Sequence, residues 1–184
     1  VKASCENKMI HIEVPLRMKG GISIRQYSAK KNEPDFVQLT DHGKPVIPGS
    51  SFAGALRHRM KMILQELEIP EAGTMIQIAF GYTEKEEACA SNIIISEAEV
   101  TEAKELTMVR TAISRFESAV KEHTLYKEKT YVDGKVKLEV SVRKGKPDTK
   151  WILGFLLLAL KDLQNGFLAV GGQTAIGRGV FEPD

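Results

Sequence analysis

Alternating apolar and polar residues predict two half-buried strands in this chain. A period of two places the apolar side chains of a strand on one face, where they can pack on a core. The apolar positions are Ile10, Ile12, Val14 and Leu16 in the first strand and Val136, Leu138, Val140 and Val142 in the second. Pro15 indicates that the first strand lies at a sheet edge or ends nearby, because proline cannot donate a ladder hydrogen bond.

Apolar residues at steps of three and four predict two helices. The first follows Pro48, is capped by Ser50 or Ser51, and ends before Pro70. Its apolar stripe comprises Phe52, Leu56, Met60, Ile63, Leu64 and Leu67. The second helix covers residues 150–164 and ends at Asn165-Gly166, a pair typical of a left-handed C-cap.

The remaining segments complete an α+β pattern. They are a loop at 27–40, a connector at 80–90, a strand at 93–100, an ambiguous strand or loop at 109–116, a hairpin with arms 124–132 and 136–142 around Asp133-Gly134, and a short strand at 167–170. The order strand, helix, strands, helix, strand predicts a ferredoxin-like split βαβ core with an inserted hairpin.

Length and composition indicate one globular domain over residues 1–184. Cys5 and Cys89 lack metal-ligand spacing, and together they are typical of a protein of the reducing cytosol. The longest apolar run, 151–160, is about half of the roughly 20 residues that span a bilayer. No signal peptide is evident, so we expect a cytoplasmic protein without a membrane partner.

Charge is unevenly distributed although the net charge is only +2. Residues 81–108 carry 7 acidic and 2 basic side chains, whereas residues 109–150 carry 11 basic and 6 acidic ones. This division is consistent with a protein that meets a polyanion on one side and other proteins elsewhere.

Four glycines lie within residues 171–179, a density that exposes backbone N–H groups to anions. Gly172 and Gly177 have the glycine spacing of a nucleotide-binding P-loop, but Arg178 and Gly179 replace its Lys and Ser/Thr, and no helix follows. Two interpretations remain open. The segment is either a tight turn that needs left-handed residues, or a loop that presents N–H groups and Arg178 to a nucleic-acid backbone.

Two motifs in this order resemble the RAMP superfamily of CRISPR-associated proteins. They are Pro-Val-Ile-Pro-Gly-Ser-Ser-Phe-Ala-Gly-Ala-Leu-Arg at 45–57 and Gly-Gly-Gln-Thr-Ala-Ile-Gly-Arg-Gly at 171–179. Order and spacing are most similar to the Csm3-like and Cmr4-like Cas7 subunits of type III effector complexes. The resemblance implies a modified RNA-recognition-motif (ferredoxin-like) fold that binds CRISPR RNA independently of its sequence.

The resemblance also implies partners and contact residues. The partners are CRISPR RNA, complementary target RNA, a Cas10-type large subunit, other RAMP subunits and copies of the chain itself in a helical stack. Because guide sequences vary, such a protein must contact phosphates and sugars. The implied RNA-binding residues are Arg25, Ser50, Ser51, Arg57, Arg59, Gly171, Gly172, Gln173, Thr174, Gly177 and Arg178.

Active members of the family cut target RNA with an aspartate in the long loop and a divalent metal. The matching position here holds Glu33, and Asp35 follows two residues later. We therefore expect Glu33 and Asp35 as candidate catalytic residues, with Mg²⁺ or Mn²⁺ as the cofactor if cleavage occurs. The other interpretation is that both are solvated loop charges.

The family also has a thumb-like insertion, which corresponds here to about 109–143. Phe116, Tyr126 and Lys127 are its candidates for contact with bases, since stacking on an aromatic ring is worth about 1–3 kcal/mol per base. Packing of Phe116 in the core is the alternative.

Two other functions remain open. One is a Cas6-type, metal-independent endoribonuclease that processes CRISPR RNA, which generally needs a histidine base. The histidines, His11, His42, His58 and His123, have no evident partner in the sequence. The other is a non-catalytic scaffold subunit.

Overall fold

A computed structural model of the protein describes residues 1–26, 34–84, 87–121 and 124–184. The strands are β1 (Lys2–Glu6), β2 (Met9–Met18), β3 (Arg25–Gln26), β4 (Phe36–Gln38), β5 (Thr40–Asp41), β6 (Lys44–Ile47), β7 (Tyr82–Glu84), β8 (Glu87–Cys89), β9 (Ile93–Ile95), β10 (Ala98–Thr101), β11 (Lys104–Arg110), β12 (Tyr126–Val132), β13 (Lys135–Arg143) and β14 (Phe181–Pro183). The helices are α1 (Gly49–Glu66), α2 (Ala72–Phe80) and α3 (Thr149–Gln164), with a 3₁₀ turn at Thr174–Ile176.

The main sheet has the strand order of a ferredoxin-like fold. Strand β2 pairs with β14 on one side and β13 on the other, and β13 pairs in turn with β9 and β10, all antiparallel. Helix α1 lies between β2 and β9 in the chain, and α3 lies between β13 and β14. The predicted α+β ferredoxin-like core is confirmed. Strands β1, β6 and β5 extend this sheet.

The core lies between one face of the main sheet and the two long helices. The predicted alternation is confirmed, because the apolar residues of β2 and β13 point to the core, which α1 and α3 complete. The buried helix residues are Phe52, Leu56, Met60 and Leu64 from α1 and Ile152, Leu156, Ala159, Leu160 and Leu163 from α3. The Asn165-Gly166 end of α3 is also as predicted, with Gly166 at φ +78°.

Strand β2 is not an edge strand, so the prediction from Pro15 is wrong for the strand as a whole. Pro15 lies beside Lys137 of β13. On its other side the pairing with β1 ends at Glu13 and the pairing with β14 begins at Leu16. The carbonyl of Pro15 accepts a hydrogen bond from the Gln164 side chain at 3.4 Å. Pro15 therefore lies in a gap between the two strands that pair with this side of β2.

A second sheet, in the order β11-β12-β4-β3, carries the thumb-like region and is called the thumb sheet below. Strands β11 and β12 are antiparallel, and β12 pairs with β4 in parallel. The hairpin predicted around Asp133-Gly134 is wrong, because that turn leads from β12 into β13 of the main sheet, whose alternating apolar residues pair with β2. Residues 135–143 of the predicted thumb-like insertion therefore form β13 of the main sheet.

Several local predictions also change. Helix α1 begins at Gly49 with Pro48 as its N-cap and no side-chain cap, so Ser50 and Ser51 lie inside the first turn. The predicted connector contains β7 and β8. Helix α2, which the sequence pattern did not predict, precedes it. The predicted strand at 93–100 is divided into β9 and β10. Residues 167–170 form no strand.

Candidate nucleic-acid interface

The glycine-rich loop, residues 171–179, is anchored on the segment that follows β2. The N–H of Gly172 donates to the Ser23 carbonyl at 2.7 Å, and that of Gly179 donates to the Gly21 carbonyl at 2.9 Å. Gly179 has φ +70°, and a side chain there would overlap the Val170 carbonyl. The predicted tight turn is therefore present, and it leaves Gly171, Gly172, Thr174 and Gly177 exposed.

Gln173 links this loop to two charged groups. Its backbone is left-handed, with φ 57°. With the amide oriented by its partners, the side-chain nitrogen donates to Glu128 Oε1 at 2.7 Å and to Ser23 Oγ at 3.3 Å. The side-chain oxygen accepts from Arg25 Nη2 at 3.0 Å. Gln173 thus joins Arg25 to Glu128.

Arg178 points inward. Its side chain is 6% exposed, and its Nη2 donates to Glu128 Oε2 at 3.3 Å. The guanidinium lies where a side chain of residue 21 would be, so the glycine at that position makes room for it. The sequence predicted a direct contact of Arg178 with phosphate. This arrangement does not fit that contact, because the charge of Arg178 is already paired and turned from solvent.

Glu128 lies at the centre of these contacts. It is in β12, and its side chain is 3% exposed. Arg110 of β11 places its Nε 2.8 Å from Glu128 Oε2, an ion pair without the direction of a hydrogen bond. Glu128 therefore contacts residues from the thumb sheet and from the glycine-rich loop at once.

Arg25 lies at the exposed side of the same group. Its guanidinium carbon is 3.8 Å from the centre of the Phe36 ring, within the range of a cation–π contact. Phe36 in turn meets Tyr126 edge to face, with ring centres 5.3 Å apart. The structure therefore brings together Arg25, Gln173 and Tyr126 from the predicted RNA-contacting residues.

Asp35 has a structural partner. Its Oδ2 accepts a hydrogen bond from the backbone N–H of Lys127 at 2.7 Å, which fixes the start of β12. Glu33 lies outside the described residues. Within the ranges that the structure describes, no group of three or more His, Cys, Asp or Glu side chains could hold a metal ion.

The described residues between β11 and β12, called the thumb tip, present apolar side chains to solvent. Phe116 is 96% exposed, so the alternative that it packs in the core is wrong. Ile113, Val120 and Leu125 are exposed beside it in the chain, and Ile113 and Val120 pair across the tip. Lys127 is also exposed, at the base of the tip. Apolar residues grouped on a surface mark contact sites more often than not.

Helix α1 carries a separate set of predicted contacts. Arg57 is exposed and lines a groove of about 600 Å³ between α1 and α2, together with His58 and Lys61. Ser50 is exposed and Ser51 half-buried. Arg59 instead donates to Asp162 of α3 at 2.7 Å. That contact joins two helices and leaves Arg57 as the α1 arginine that is open to a ligand.

The uncovered face of the main sheet is rich in paired charges. Its ion pairs are Arg17–Asp184, Lys137–Glu13, Lys137–Glu139 and Lys135–Glu102. Hydrogen bonding with Asp184 raises the pKa of Arg17, and hydrogen bonds with Glu13 and Glu139 raise the pKa of Lys137. Because neighbouring carboxylates compensate these cations, the face offers little free positive charge to RNA.

The histidines do not form a shared site in the described part of the chain. His11 Nδ1 is hydrogen-bonded to Ser141 Oγ at 2.7 Å, and His42 Nδ1 lies 2.9 Å from Asp41 Oδ1. His58 lines the α1–α2 groove. His123 lies outside the described residues.

Glu128 and Arg110 were missed by the sequence interpretation. The available signal was weak. Glu128 lies two residues from both Tyr126 and Thr130, so the three side chains share one face of the strand, and that face points inward. A lone glutamate among lysines is more often solvated, so the pattern did not distinguish a buried group from an exposed one.

The chain thus combines a ferredoxin-like core with a second sheet and a C-terminal glycine-rich loop. The profile of the RAMP superfamily matches residues 10–182, and the chain belongs to this superfamily. No curated protein matches the sequence.

Two solved structures show the same fold. A chain of the type III-B Cmr-beta cryo-EM structure in the apo state superposes with a TM-score of 0.69 at 12% identity, covering 95% of this chain and 96% of that one. A chain of type III-B Cmr-beta bound to cognate target RNA gives a TM-score of 0.69 at 17% identity, covering 96% and 59%. Among the described residues, no helix is both long and apolar enough to cross a membrane.

Proposed function

We propose that the chain is a Cas7-like subunit of a type III CRISPR interference complex and binds CRISPR RNA through its sugar–phosphate backbone. The observation that carries this proposal is the continuous set of contacts that joins the glycine-rich loop, Arg25 and the thumb sheet. Membership of the RAMP superfamily and the fold shared with Cmr-beta chains support it.

The loop supplies groups suited to phosphates. Gly171, Gly172 and Gly177 are exposed and carry no side chain, so a phosphate can approach the backbone closely, although the N–H groups of Gly172 and Gly177 already donate to protein carbonyls. Arg25 adds an exposed cation beside them through Gln173. Arg110 and Arg178 contact the single carboxylate of Glu128, and Arg25 is linked to it through Gln173, so the group keeps a positive excess. Such contacts position RNA without selecting its bases.

The thumb supplies an apolar wedge. Phe116 has almost its whole side chain free, and aromatic stacking on a base is sequence-tolerant because every base has a flat face. The ring therefore suits contact with bases of the guide or of a complementary target RNA. Lys127 adds an exposed cation on β12, at the base of the thumb tip.

The proposed setting is a cytoplasmic, multisubunit assembly. Copies of the chain stack along the RNA beside a Cas10-type large subunit and other RAMP subunits. The acidic stretch at 81–108 gives a surface that can meet a basic neighbour. One of the similar structures is described as bound to cognate target RNA.

RNA binding is tested with two oligonucleotides of equal length and unrelated sequence. We expect Arg25→Ala with Arg57→Ala to weaken binding of both equally, and to flatten the logarithmic salt slope by about 0.7 for each phosphate contact removed. The control is Arg143→Ala, an exposed arginine on the face of the main sheet away from α1 and α3, whose Nε donates to the Ser91 carbonyl at 3.2 Å. Loss for one sequence alone would contradict backbone recognition, and absence of binding by the wild type would overturn the proposal.

Target cleavage at Glu33 and Asp35 stays a prediction. The Asp35 contact with the Lys127 N–H favours a structural role for Asp35. The assembled complex is incubated with complementary RNA and Mg²⁺ or Mn²⁺, and wild type is compared with Glu33→Ala and Asp35→Ala. Regularly spaced cuts that survive both substitutions would remove these carboxylates from the reaction.

The Cas6-type alternative is tested on the protein alone. Unprocessed repeat RNA is incubated in EDTA, where metal-dependent cleavage stops. A discrete cut would favour the processing enzyme, whereas binding without a cut agrees with a backbone or scaffold subunit.

A further inference from the structure

Glu128 is a buried carboxylate in a region that contacts RNA under the proposed function. The whole residue is 2% exposed. Its oxygens contact Arg110 from the thumb sheet and both Arg178 and Gln173 from the glycine-rich loop. One side chain therefore joins two segments that lie far apart in the sequence.

The same connection continues to the exposed side. Gln173 accepts from Arg25, Arg25 lies over Phe36, and Phe36 contacts Tyr126. Phe36 also pairs in register with Glu128 between β4 and β12. The contacts thus form a closed circuit from Glu128 through Gln173, Arg25 and Phe36 back to β12. A shift of the glycine-rich loop would therefore disturb the start of β12.

Stability alone is a poor reason for such a group. Buried ion pairs lose solvation about as much as they gain in attraction, and apolar residues of similar size often stabilise a protein as well. A carboxylate with several directed partners does, however, specify one arrangement of those partners. This property suits a site whose elements come from separate segments.

We infer that Glu128 is a positioning residue that fixes the glycine-rich loop and Arg25 relative to the thumb, so that loop and thumb bind RNA as one unit. This inference rests on the proposed function. Without the carboxylate, Arg110 and Arg178 would be two like charges side by side with no anion between them, and Gln173 would lose the shorter of its two hydrogen bonds as a donor. The side-chain link between the loop and the thumb sheet would then be lost, and only the backbone contacts of residues 21–23 with β12 and with the loop would remain.

The first test measures amide hydrogen exchange without RNA. Glu128→Gln removes the charge at nearly constant shape. We expect exchange at Gly172 and Gly179 to accelerate by about tenfold, the effect of losing one charge-assisted hydrogen bond. Amides of α1 and α3 should keep their rates. The control is Glu139→Gln, an exposed carboxylate paired with Lys137 on β13. Unchanged loop exchange in Glu128→Gln would overturn the inference.

The second test measures coupling between thumb and loop. Phe116→Ala is combined with Glu128→Gln, and RNA affinity is measured for both single variants and the double variant. If Glu128 makes the two elements act together, Phe116→Ala weakens binding by about threefold less in the Glu128→Gln background than in wild type. Effects that simply multiply would assign Glu128 a structural role only.

Two further variants protect the result against misfolding. Glu128→Asp keeps the charge on a shorter side chain, and it should recover part of the coupling and slow loop exchange relative to Glu128→Gln. Gln173→Ala removes the link to Arg25 and buries no unpaired charge. It should accelerate exchange at Gly172 and reduce coupling in the same direction. If neither variant moves loop exchange or coupling, the inference is wrong.

These outcomes separate the two proposals. A wild type that binds no RNA, with loop exchange still dependent on Glu128, would overturn the proposed function and leave Glu128 as a structural link. A wild type that binds RNA, with exchange and coupling independent of Glu128, would overturn the inference alone.

Discussion

The two large sheets of this protein are held together by different forces. The main sheet packs on α1 and α3 through apolar side chains. Buried polar and charged residues concentrate around the second sheet and the glycine-rich loop, and they include Ser23, Gln38, Glu128, Thr130 and Arg178. Apolar packing depends on shape and volume, whereas a buried polar network depends on direction. The comparison separates a part that makes the fold stable from a part that fixes relative positions.

This difference has a functional meaning. The polar region lies where the glycine-rich loop and residues 21–24 meet β12 and β4 of the thumb sheet. Elements from separate segments need directed contacts to keep one geometry. We therefore expect substitutions in the main core to change global stability most, and substitutions in the second sheet to act locally.

The largest effect is expected in the main core. Leu156 is fully buried on α3, and Leu156→Ala should lower the free energy of unfolding by about 2–5 kcal/mol through lost transfer energy and a cavity. Urea unfolding measures it. The neighbouring Leu157 is 46% exposed, so Leu157→Ala should cost much less stability than Leu156→Ala. Equal losses would contradict the assignment of the core face.

A smaller, local effect is expected in the second sheet. Gln38 is 2% exposed, accepts from the Ile24 N–H at 2.8 Å and donates to the Val46 carbonyl at 3.1 Å. Gln38→Ala should cost about 1–3 kcal/mol because buried backbone groups lose their partners. Hydrogen exchange at Ile24 should accelerate more than in α3. Gln26→Ala, an exposed glutamine on β3, is the control and should cost less.

The pair Arg59–Asp162 should contribute less again. The two side chains are about a quarter exposed, at 24% and 23%. Arg59→Ala is expected to cost about 0.2–1 kcal/mol, as for ion pairs near the surface. A double-mutant cycle with Asp162→Ala measures the pair. If Arg59→Ala also flattens the salt slope of RNA binding, Arg59 contacts RNA as the sequence predicted.

The smallest effect on stability is expected at the thumb tip. Phe116→Ala should change the free energy of unfolding by less than about 0.5 kcal/mol, because the ring has almost no contacts to lose. Thermal unfolding and RNA affinity are measured side by side. A stability loss near that of Leu156→Ala would mean that the tip packs on the protein in solution.

The same division explains what the sequence could predict. Periods of two and of three to four residues predicted β2, β13, α1 and α3, since these elements bury one apolar face. The second sheet has no such face. Its inward residues include Glu128 and Thr130, which look like solvent-facing positions until their partners are known.

The candidate site shows the same limit. The exposed glycine-rich loop and Arg57 were predicted from motif and composition. The inward direction of Arg178 was not, because it depends on Gly21 and Glu128, which are distant in the sequence. The Asp133-Gly134 pair is a strong local hairpin signal, but long-range pairing of β13 with β2 outweighs it.

The missing side chain at Gly21 restricts which substitutions this position can accept, whereas the thumb tip has no such restriction. Even alanine at this position would occupy the space of the Arg178 guanidinium, so relatives that keep the arginine should rarely replace the glycine. The thumb tip carries no comparable constraint, since its side chains are mostly free. Related chains should therefore differ in the length and composition of the tip, while position 21 stays unchanged.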